Sequence, residues 1–316
     1  MVPARNGEAM SPTRVTLSDV AAASGVSRST VSFVLNDAPN QTISAETQAR
    51  VRQAAAELGY VPHGIARALR EGASRLVVLQ VDAGMDGTYA RTFIGGLDDE
   101  LGRRGHVLLV RHGRPSAADE QQVLDAIAPR AVLRLAERYL IGHELDDGGW
   151  ESGMAANVAL QVGHLAERGH ARLAMALPDE GAALAEVRLR FAQEAARRSG
   201  LPPLQVVSVP QSRTAGLAAV TSFLADHADV TAVAAFSDDV ALRVLAALRD
   251  GGLDVPGDVA VIGFDDTEFG ALLTPALTTV HIDARTHGRV AARAALGLDA
   301  TDLAPRPGRV VVRRST

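Results

Sequence analysis

From Arg75 to Val312 the chain repeats one alternation, a short apolar run followed by a longer amphipathic stretch. The apolar runs fall at Leu76–Val81, Val107–Val110, Ala131–Leu135, Leu173–Leu177, Val206–Val209, Ala232–Phe236, Val259–Phe264 and Val310–Val312. Between them, stretches such as Arg91–Arg104, Ala117–Ala128, Val158–Arg168, Glu186–Ser199, Ala215–His227, Val240–Asp250 and Arg285–Leu296 carry apolar residues at helical spacing. Strands that alternate with helices pair in parallel, because each helix carries the chain back to the same end of the sheet. The segment is therefore predicted as α/β with parallel sheets. Its length of about 240 residues, and the return of the pattern after Gly153, point to two lobes.

The 316 residues contain no cysteine, which excludes a disulfide framework, a thiolate metal site and a cysteine nucleophile. No apolar run approaches the ~18 residues of a membrane helix. Met1 to Arg14 is polar and lacks the apolar core of a signal peptide, so a cytoplasmic protein with no membrane partner is expected. Residues 1–75 hold eight arginines against six acids, whereas the remainder is acidic, and a basic front hints at a nucleic-acid contact there. No G-x-G-x-x-G, phosphate loop, G-x-S-x-G elbow or H-E-x-x-H occurs, and the nine histidines lack metal spacing, His164 and His170 reading as structural. No cofactor and no enzymatic activity are expected.

Residues 1–13 have no periodicity and read as a disordered tail. Thr16 to Tyr60 is different. Thr16-Leu17-Ser18-Asp19 has the shape of a helix N-cap, and Ser24-Gly25-Val26 breaks that first helix. Ser27 then caps a second helix over Arg28–Leu35, and Ser44 a third over Ala45–Leu58, which Gly59 ends. Three short helices with a tight turn between the first two make a helix-turn-helix candidate. On the second helix Val31, Val34 and Leu35 point toward Val20, Val51, Ala55 and Leu58, while Arg28, Ser29, Ser32 and Phe33 point outward. An arginine with several hydroxyls suits base edges and phosphates. A small bundle with a merely wetted polar face fits the same pattern. After Pro62, Gly64 to Arg70 forms one helical stretch of about two turns, too short to be stable alone, and is expected to order only on a partner.

In parallel α/β sheets ligands sit at the carboxyl ends of strands. There the sequence places Asp82, Arg111-His112, Ser237-Asp238-Asp239 and Asp265-Asp266, with Arg188 and Arg190 near the start of the helix after Leu173–Leu177. Acids, an arginine and a hydroxyl around a cleft suit a polyhydroxylated ligand such as a sugar. Strand-end acids also serve simply to cap the next helix.

Val15-Thr16-Leu17-Ser18-Asp19-Val20-Ala21, Gly25-Val26-Ser27-Arg28-Ser29-Thr30-Val31-Ser32 and Asn36 resemble the head of lactose-repressor-type (LacI/GalR) transcription factors. Leu58-Gly59-Tyr60-Val61-Pro62 and Ala66-Arg67-x-Leu69 resemble that family's third helix and hinge. Gly169-His170, Val255-Pro256-x-Asp258-Val259, Gly263-Phe264-Asp265-Asp266, Leu277-Thr278-Thr279-Val280 and Val312-Arg313-Arg314-Ser315-Thr316 extend the resemblance over about residues 14–316.

The resemblance implies a small all-α helix-turn-helix head (14–61), a hinge helix (62–74) and a two-lobed periplasmic-binding-protein-like domain with parallel sheets (75–316). Lobe 1 is expected over 75–152 and 281–309, and lobe 2 over 153–280 and 310–316. The implied DNA contacts are Thr16, Ser27, Arg28, Ser29, Thr30, Ser32 and Asn36, with Arg28 and Ser29 at the base-reading positions. Ala66, Leu69 and Arg70 complete the set, Leu69 as the wedge into the minor groove. The implied effector contacts are Asp82, Arg188 (Arg190 the runner-up), Ser237, Asp238 and Asp265. Phe33 stands where arginine is frequent, His63 where asparagine is usual, and Gly153-Met154 where an Asp-Asn pair is usual. The stretch from Leu76 to Trp150 is short by roughly one βα unit. The implied function is a homodimeric repressor that binds a near-palindromic operator on double-stranded DNA under control of a sugar-like effector. Its rivals are a two-lobed sugar-binding protein without a regulatory role and a repressor without a small-molecule effector.

Overall fold

The computed structural model describes residues 15–35, 42–60, 74–82, 87–113, 116–135, 153–179 and 183–316. The expected tail 1–13, Asn36, His63, and the hinge 62–74 apart from Ser74 lie outside the described residues. The chain divides into two compact units, Met1–Gly72 and Ala73–Thr316.

In the first unit α1 (Leu17–Ser24), α2 (Arg28–Leu35) and α3 (Ala45–Glu57) pack around Val20, Val31, Val34, Val51, Ala54 and Ala55. Asp19 closes the start of α1, its Oδ2 accepting from the Thr16 backbone N–H at 2.7 Å and from the Thr16 hydroxyl at 2.8 Å. These bonds lower the Asp19 pKa. Gly25, at φ 69, makes the left-handed turn between α1 and α2 that a side chain would strain. Arg50 Nε donates to the Ser24 carbonyl at 2.9 Å and pins α3 to the end of α1. Leu58 departs from its expected inward place and is exposed. The helix stops at Glu57, and Gly59, at φ 65, turns the chain away before Leu58 reaches the core.

The second unit carries two parallel sheets. One has the order β2-β1-β3, formed by β1 (Leu76–Val81), β2 (Val107–His112) and β3 (Ala131–Leu135), with α4 (Thr88–Gly102) and α5 (Ala117–Ile127) as crossovers. The other has the order β5-β4-β6-β7, formed by β4 (Leu173–Pro178), β5 (Gln205–Val209), β6 (Ala232–Ala235) and β7 (Ala260–Ile262). Its helices are α6 (Met154–Glu167), α7 (Ala183–Arg198), α8 (Arg213–Asp226) and α9 (Asp238–Asp250). Leu173, Met175, Ala232, Ala234, Ala260 and Ile262 join one core with α6 and α7, while Ala174, Ala176, Val233, Ala235 and Val261 join the other with α8 and α9. In β4, β6 and β7 the period-two alternation of a strand thus becomes apolar throughout, because both faces are covered, whereas the edge strand β5 keeps exposed positions.

After β7 a 3-10 turn (Glu268–Leu272) leads to β8 (Thr279–His281), which pairs antiparallel with β9 (Arg309–Val311). Between them α10 (Ala284–Ala295) returns to the first lobe, where Ala284 and Ala292 share the core of Val77, Leu79, Phe93, Leu97 and Leu101. The strand predicted over Val259–Phe264 is cut to three residues, because Asp265 and Asp266 adopt positive φ. β8 has no counterpart among the predicted runs. It is three residues long with one apolar residue, and Thr279, like Thr278 just before it, is buried with its hydroxyl hydrogen-bonded.

α4 and α10 cross closely enough to exclude side chains. A Cβ on Gly96 would stand 2.0 Å from the Arg285 carbonyl oxygen, and one on Gly288 2.0 Å from that of Phe93. Beside the crossing Glu100 is almost fully buried. Burial alone would raise its carboxyl, but hydrogen bonds from Arg293, Arg289 and Arg103 and the charge of Arg104 hold it at about 2. Two adjacent glycines of α4 therefore respond to alanine with opposite signs. Gly96→Ala loses about 1–3 kcal/mol by forcing the helices apart. At Gly95, where an added Cβ meets nothing within 4 Å, alanine adds about 0.5–1 kcal/mol through backbone entropy. Urea unfolding of both variants checks this, and shifts of equal sign contradict the close crossing.

Candidate functional site

The first candidate surface is the outward side of α2. Val31 and Val34 are buried, Arg28, Ser29 and Phe33 are exposed, and Thr30 and Ser32 are half-buried. Ser27 Oγ accepts from the Thr30 backbone N–H at 3.1 Å and lies 2.7 Å from Ser29 Oγ and 2.9 Å from Thr30 Oγ1. The start of α2 thus gathers three hydroxyls and the Arg28 guanidinium at the positive end of a helix, a combination suited to phosphates and base edges. Thr16 sits at the start of α1 with its hydroxyl turned to Asp19. Ala66, Leu69 and Arg70, like Asn36, lie outside the described residues.

The second candidate is the carboxyl end of β6 and β7. Arg188 lies on the buried stripe of α7 between Leu184 and Ala192, each four residues away, and is only 4% exposed. Its guanidinium carbon stands 3.5 Å from the centroid of the Phe264 ring and 4.9 Å from that of Phe236, a doubled cation–π contact. One terminal nitrogen donates to the Phe236 carbonyl. Nε and the other terminal nitrogen are buried with no hydrogen-bond partner among the described residues. Burial pulls the Arg188 pKa down to about 10, against the charges of Asp265 and Asp238. Arg190, the runner-up, is exposed and lies over the Phe191 ring at 5.2 Å, on the other side of α7.

Asp265 is the most unusual group here. Its φ of 100 is a strained value for a residue with a side chain. Burial among protein atoms pushes its carboxyl up to about 7, although it keeps some contact with solvent and Arg188 works to lower it. An added Cβ on Gly87, at the start of α4, would lie 3.9 Å from Asp265 Oδ2, and the charge of Arg91 on α4 also reaches this carboxyl. Asp265 therefore faces the first lobe from the second.

Asp238 and Ser237 stand next to this cluster in a different role. Asp238 is 1% exposed, with Oδ1 accepting from the Thr279 hydroxyl and Oδ2 from the Thr267 backbone N–H, both at 2.6 Å. Its backbone N–H donates to the Phe264 carbonyl at 2.8 Å. Each oxygen already accepts one hydrogen bond inside the protein, so Asp238 also serves as a structural clasp between β8 and the turn after β7. Burial raises this carboxyl to about 6 despite those bonds. Ser237 caps α9, its Oγ accepting from the Val240 N–H at 3.3 Å. Asp82 follows β1 in the other lobe, half-buried and already engaged with protein groups.

Three participants were not foreseen. Phe236 and Phe264 supply the faces for Arg188, although both end predicted strands. Gln161, fully buried on α6, donates through Nε2 to the carbonyls of Ala235 at 2.8 Å and Gly263 at 3.0 Å, tying the ends of β6 and β7 together. A glutamine inside the apolar stripe of Val158, Val162 and Leu165 was the available signal. His164 and His170 bond to Thr316 Oγ1 and Thr231 Oγ1, both at 2.9 Å. Among the described residues no group of three or more acids or histidines could hold a metal, and no helix is long and apolar enough to cross a membrane.

Residues 16–63 match the model of bacterial regulatory proteins of the lacI family, and residues 162–316 match a periplasmic binding protein-like domain. The chain is 30% identical to the HTH-type transcriptional regulator GalR of Escherichia coli (strain K12), over 90% of this chain and 89% of that protein. It is 29% identical to the ribose operon repressor of the same strain, over 84% and 87%. The fold is that of the lac repressor dimer bound to operator and the anti-inducer ONPF, at 24% identity and TM-score 0.77, covering 96% of this chain and 99% of that one. The transcriptional regulator CelR–cellobiose complex aligns at 25% identity and TM-score 0.60, covering 96% and 100%.

The two raised carboxyls give the site a pH signature. An unfolded aspartate ionises near 3.9, so between about pH 4 and the raised value near 7 of Asp265 the folded chain holds the extra proton. That proton's contribution to stability is complete below the unfolded value and lost as pH rises through the folded one. Asp265→Asn cannot lose it. The melting temperature of the variant minus that of the parent should grow from pH 4 to pH 8. A difference independent of pH contradicts the raised carboxyl.

Proposed function

The chain belongs to the LacI family of bacterial regulatory proteins, and from that premise we propose that it is a cytoplasmic, homodimeric repressor that reads a near-palindromic DNA operator and releases or tightens it on binding a sugar-like effector. The start of α2, with Arg28, Ser29, Thr30 and Ser32, enters the major groove. Two copies related by a two-fold axis read the two half-sites. Asn36, Ala66 and Arg70 add backbone and groove contacts, and Leu69 wedges into the minor groove at the operator centre.

One observation carries the effector reading: Arg188 holds two buried donor nitrogens without partners among the described residues, beside a raised Asp265 that faces the other lobe. A buried unpaired donor costs about 1–3 kcal/mol, and a ligand hydroxyl or ring oxygen recovers that cost. A neutral ligand with several hydroxyls can accept from Arg188 and donate to Asp265 at once. It would then bridge the lobes and bias their relative placement, which is how an effector couples to a distant DNA surface. The same observation weighs against a repressor without an effector, which has no use for those donors. The head weighs against a transport protein of the same two-lobed build. Both sites act by binding, so no catalysis is proposed.

Operator affinity of the purified chain, measured with and without a panel of pentoses, hexoses and disaccharides, tests this reading. At least one sugar should shift it. Arg188→Met should bind operator as the parent does without sugar and lose the shift, with a melting curve confirming that it folds. A panel that shifts nothing overturns the effector reading. At the DNA surface, Arg28→Ala should cost about 1–3 kcal/mol on the preferred site and relax preference at one base pair per half-site. An equal loss on all sequences would make Arg28 a phosphate contact instead.

A further inference from the structure

Phe33 is 37% exposed on a helix whose other apolar residues, Val31, Val34 and Leu35, turn into the core of the head. It stands one helical turn after Ser29 and directly after Ser32, on the polar side that also carries Arg28. An aromatic ring among hydroxyls and a guanidinium has no use in positioning phosphates, since it offers neither charge nor donor. A major groove presents one apolar group, the C5-methyl of thymine. Against a G·C pair the same ring would cover the N4 amine of cytosine without pairing it, which costs free energy. We infer that Phe33 is a specificity-determining residue that packs on the thymine C5-methyl group of one A·T pair in each half-site. The inference rests on the DNA-binding reading above and adds to it a base identity that Arg28 and Ser29 do not supply.

The test uses the full chain and a library of duplexes with a random core. Selection with the unmodified protein yields a preferred duplex, which is then remade with single dT→dU replacements that remove only the methyl group. A buried methyl is worth about 0.8 kcal/mol. One thymine in each half-site should therefore lose roughly fourfold in affinity on replacement, and the two together roughly fifteenfold. Phe33→Ala should bind more weakly overall and be indifferent to dU at that position. Phe33→Leu, which keeps an apolar surface, should retain part of the penalty. Arg28→Ala should keep the penalty in full, which separates base reading by Phe33 from DNA binding in general. Tolerance of dU at every thymine by the unmodified protein overturns the inference, as does an undiminished penalty in Phe33→Ala. Both results leave the DNA reading standing. If selection enriches no duplex, the DNA reading fails and the inference falls with it.

Discussion

The buried carboxylate of Asp238 holds together the end of the second-lobe sheet. It receives the Thr279 hydroxyl from β8 and the Thr267 N–H from the turn after β7, while its own N–H returns to the Phe264 carbonyl. A charge out of water is costly unless donors surround it. Burial still raises the Asp238 pKa to about 6 despite the hydrogen bonds from Thr279, Thr267 and the Phe264 backbone. The clasp also explains Gly263, where any Cβ would stand 2.0 Å from Asp238 Oδ1. With this knot in place the chain reverses through two left-handed residues, and Phe264 and Asp265 are presented to Arg188. The Arg188, Phe264 and Asp265 cluster is a by-product of how the sheet is closed.

Further bonds secure the same reversal. Asp266 accepts from Arg313 at 2.7 Å and lies 3.0 Å from His281 Nδ1. Ser315 bridges the Thr278 N–H at 2.8 Å and the Val261 carbonyl at 2.6 Å. These bonds anchor Asp265 on the second-lobe side, and Gly87 and Arg91 at the start of α4 lie near it from the first lobe. On the first-lobe side, α4 is locked to α10 by the Gly96–Gly288 crossing and the Glu100 arginine cluster. In the proposed reading, a ligand held between Asp265 and the first lobe would bias a two-state equilibrium between the lobes.

Much of this was legible in the sequence. Short apolar runs alternating with helical stretches announce parallel sheets, and Thr16, Ser27 and Ser44 announce the starts of the three head helices. The hidden part was polar. An acid after a strand serves equally to bind a ligand or to knit the backbone, and the sequence did not show the donors that surround Asp238. β8 escaped notice because Thr278 and Thr279 are buried for their hydroxyl bonds and leave no apolar pattern. The choice between Arg188 and Arg190 was open to reading. Arg188 shares its face with Leu184, Ala185, Phe191 and Ala192, so an arginine there is placed in a core with a purpose.

In the proposed reading the buried guanidinium of Arg188 is the group through which ligand occupancy is sensed. Nitrogen-15 NMR of arginine-labelled protein addresses it directly, with Arg188→Met identifying the resonance. Titration with a sugar that shifts operator affinity should move the Arg188 Nε–H downfield and slow its exchange with water, as a free donor gains an acceptor. An Arg188 signal unchanged at saturating sugar, while operator affinity still shifts, contradicts it.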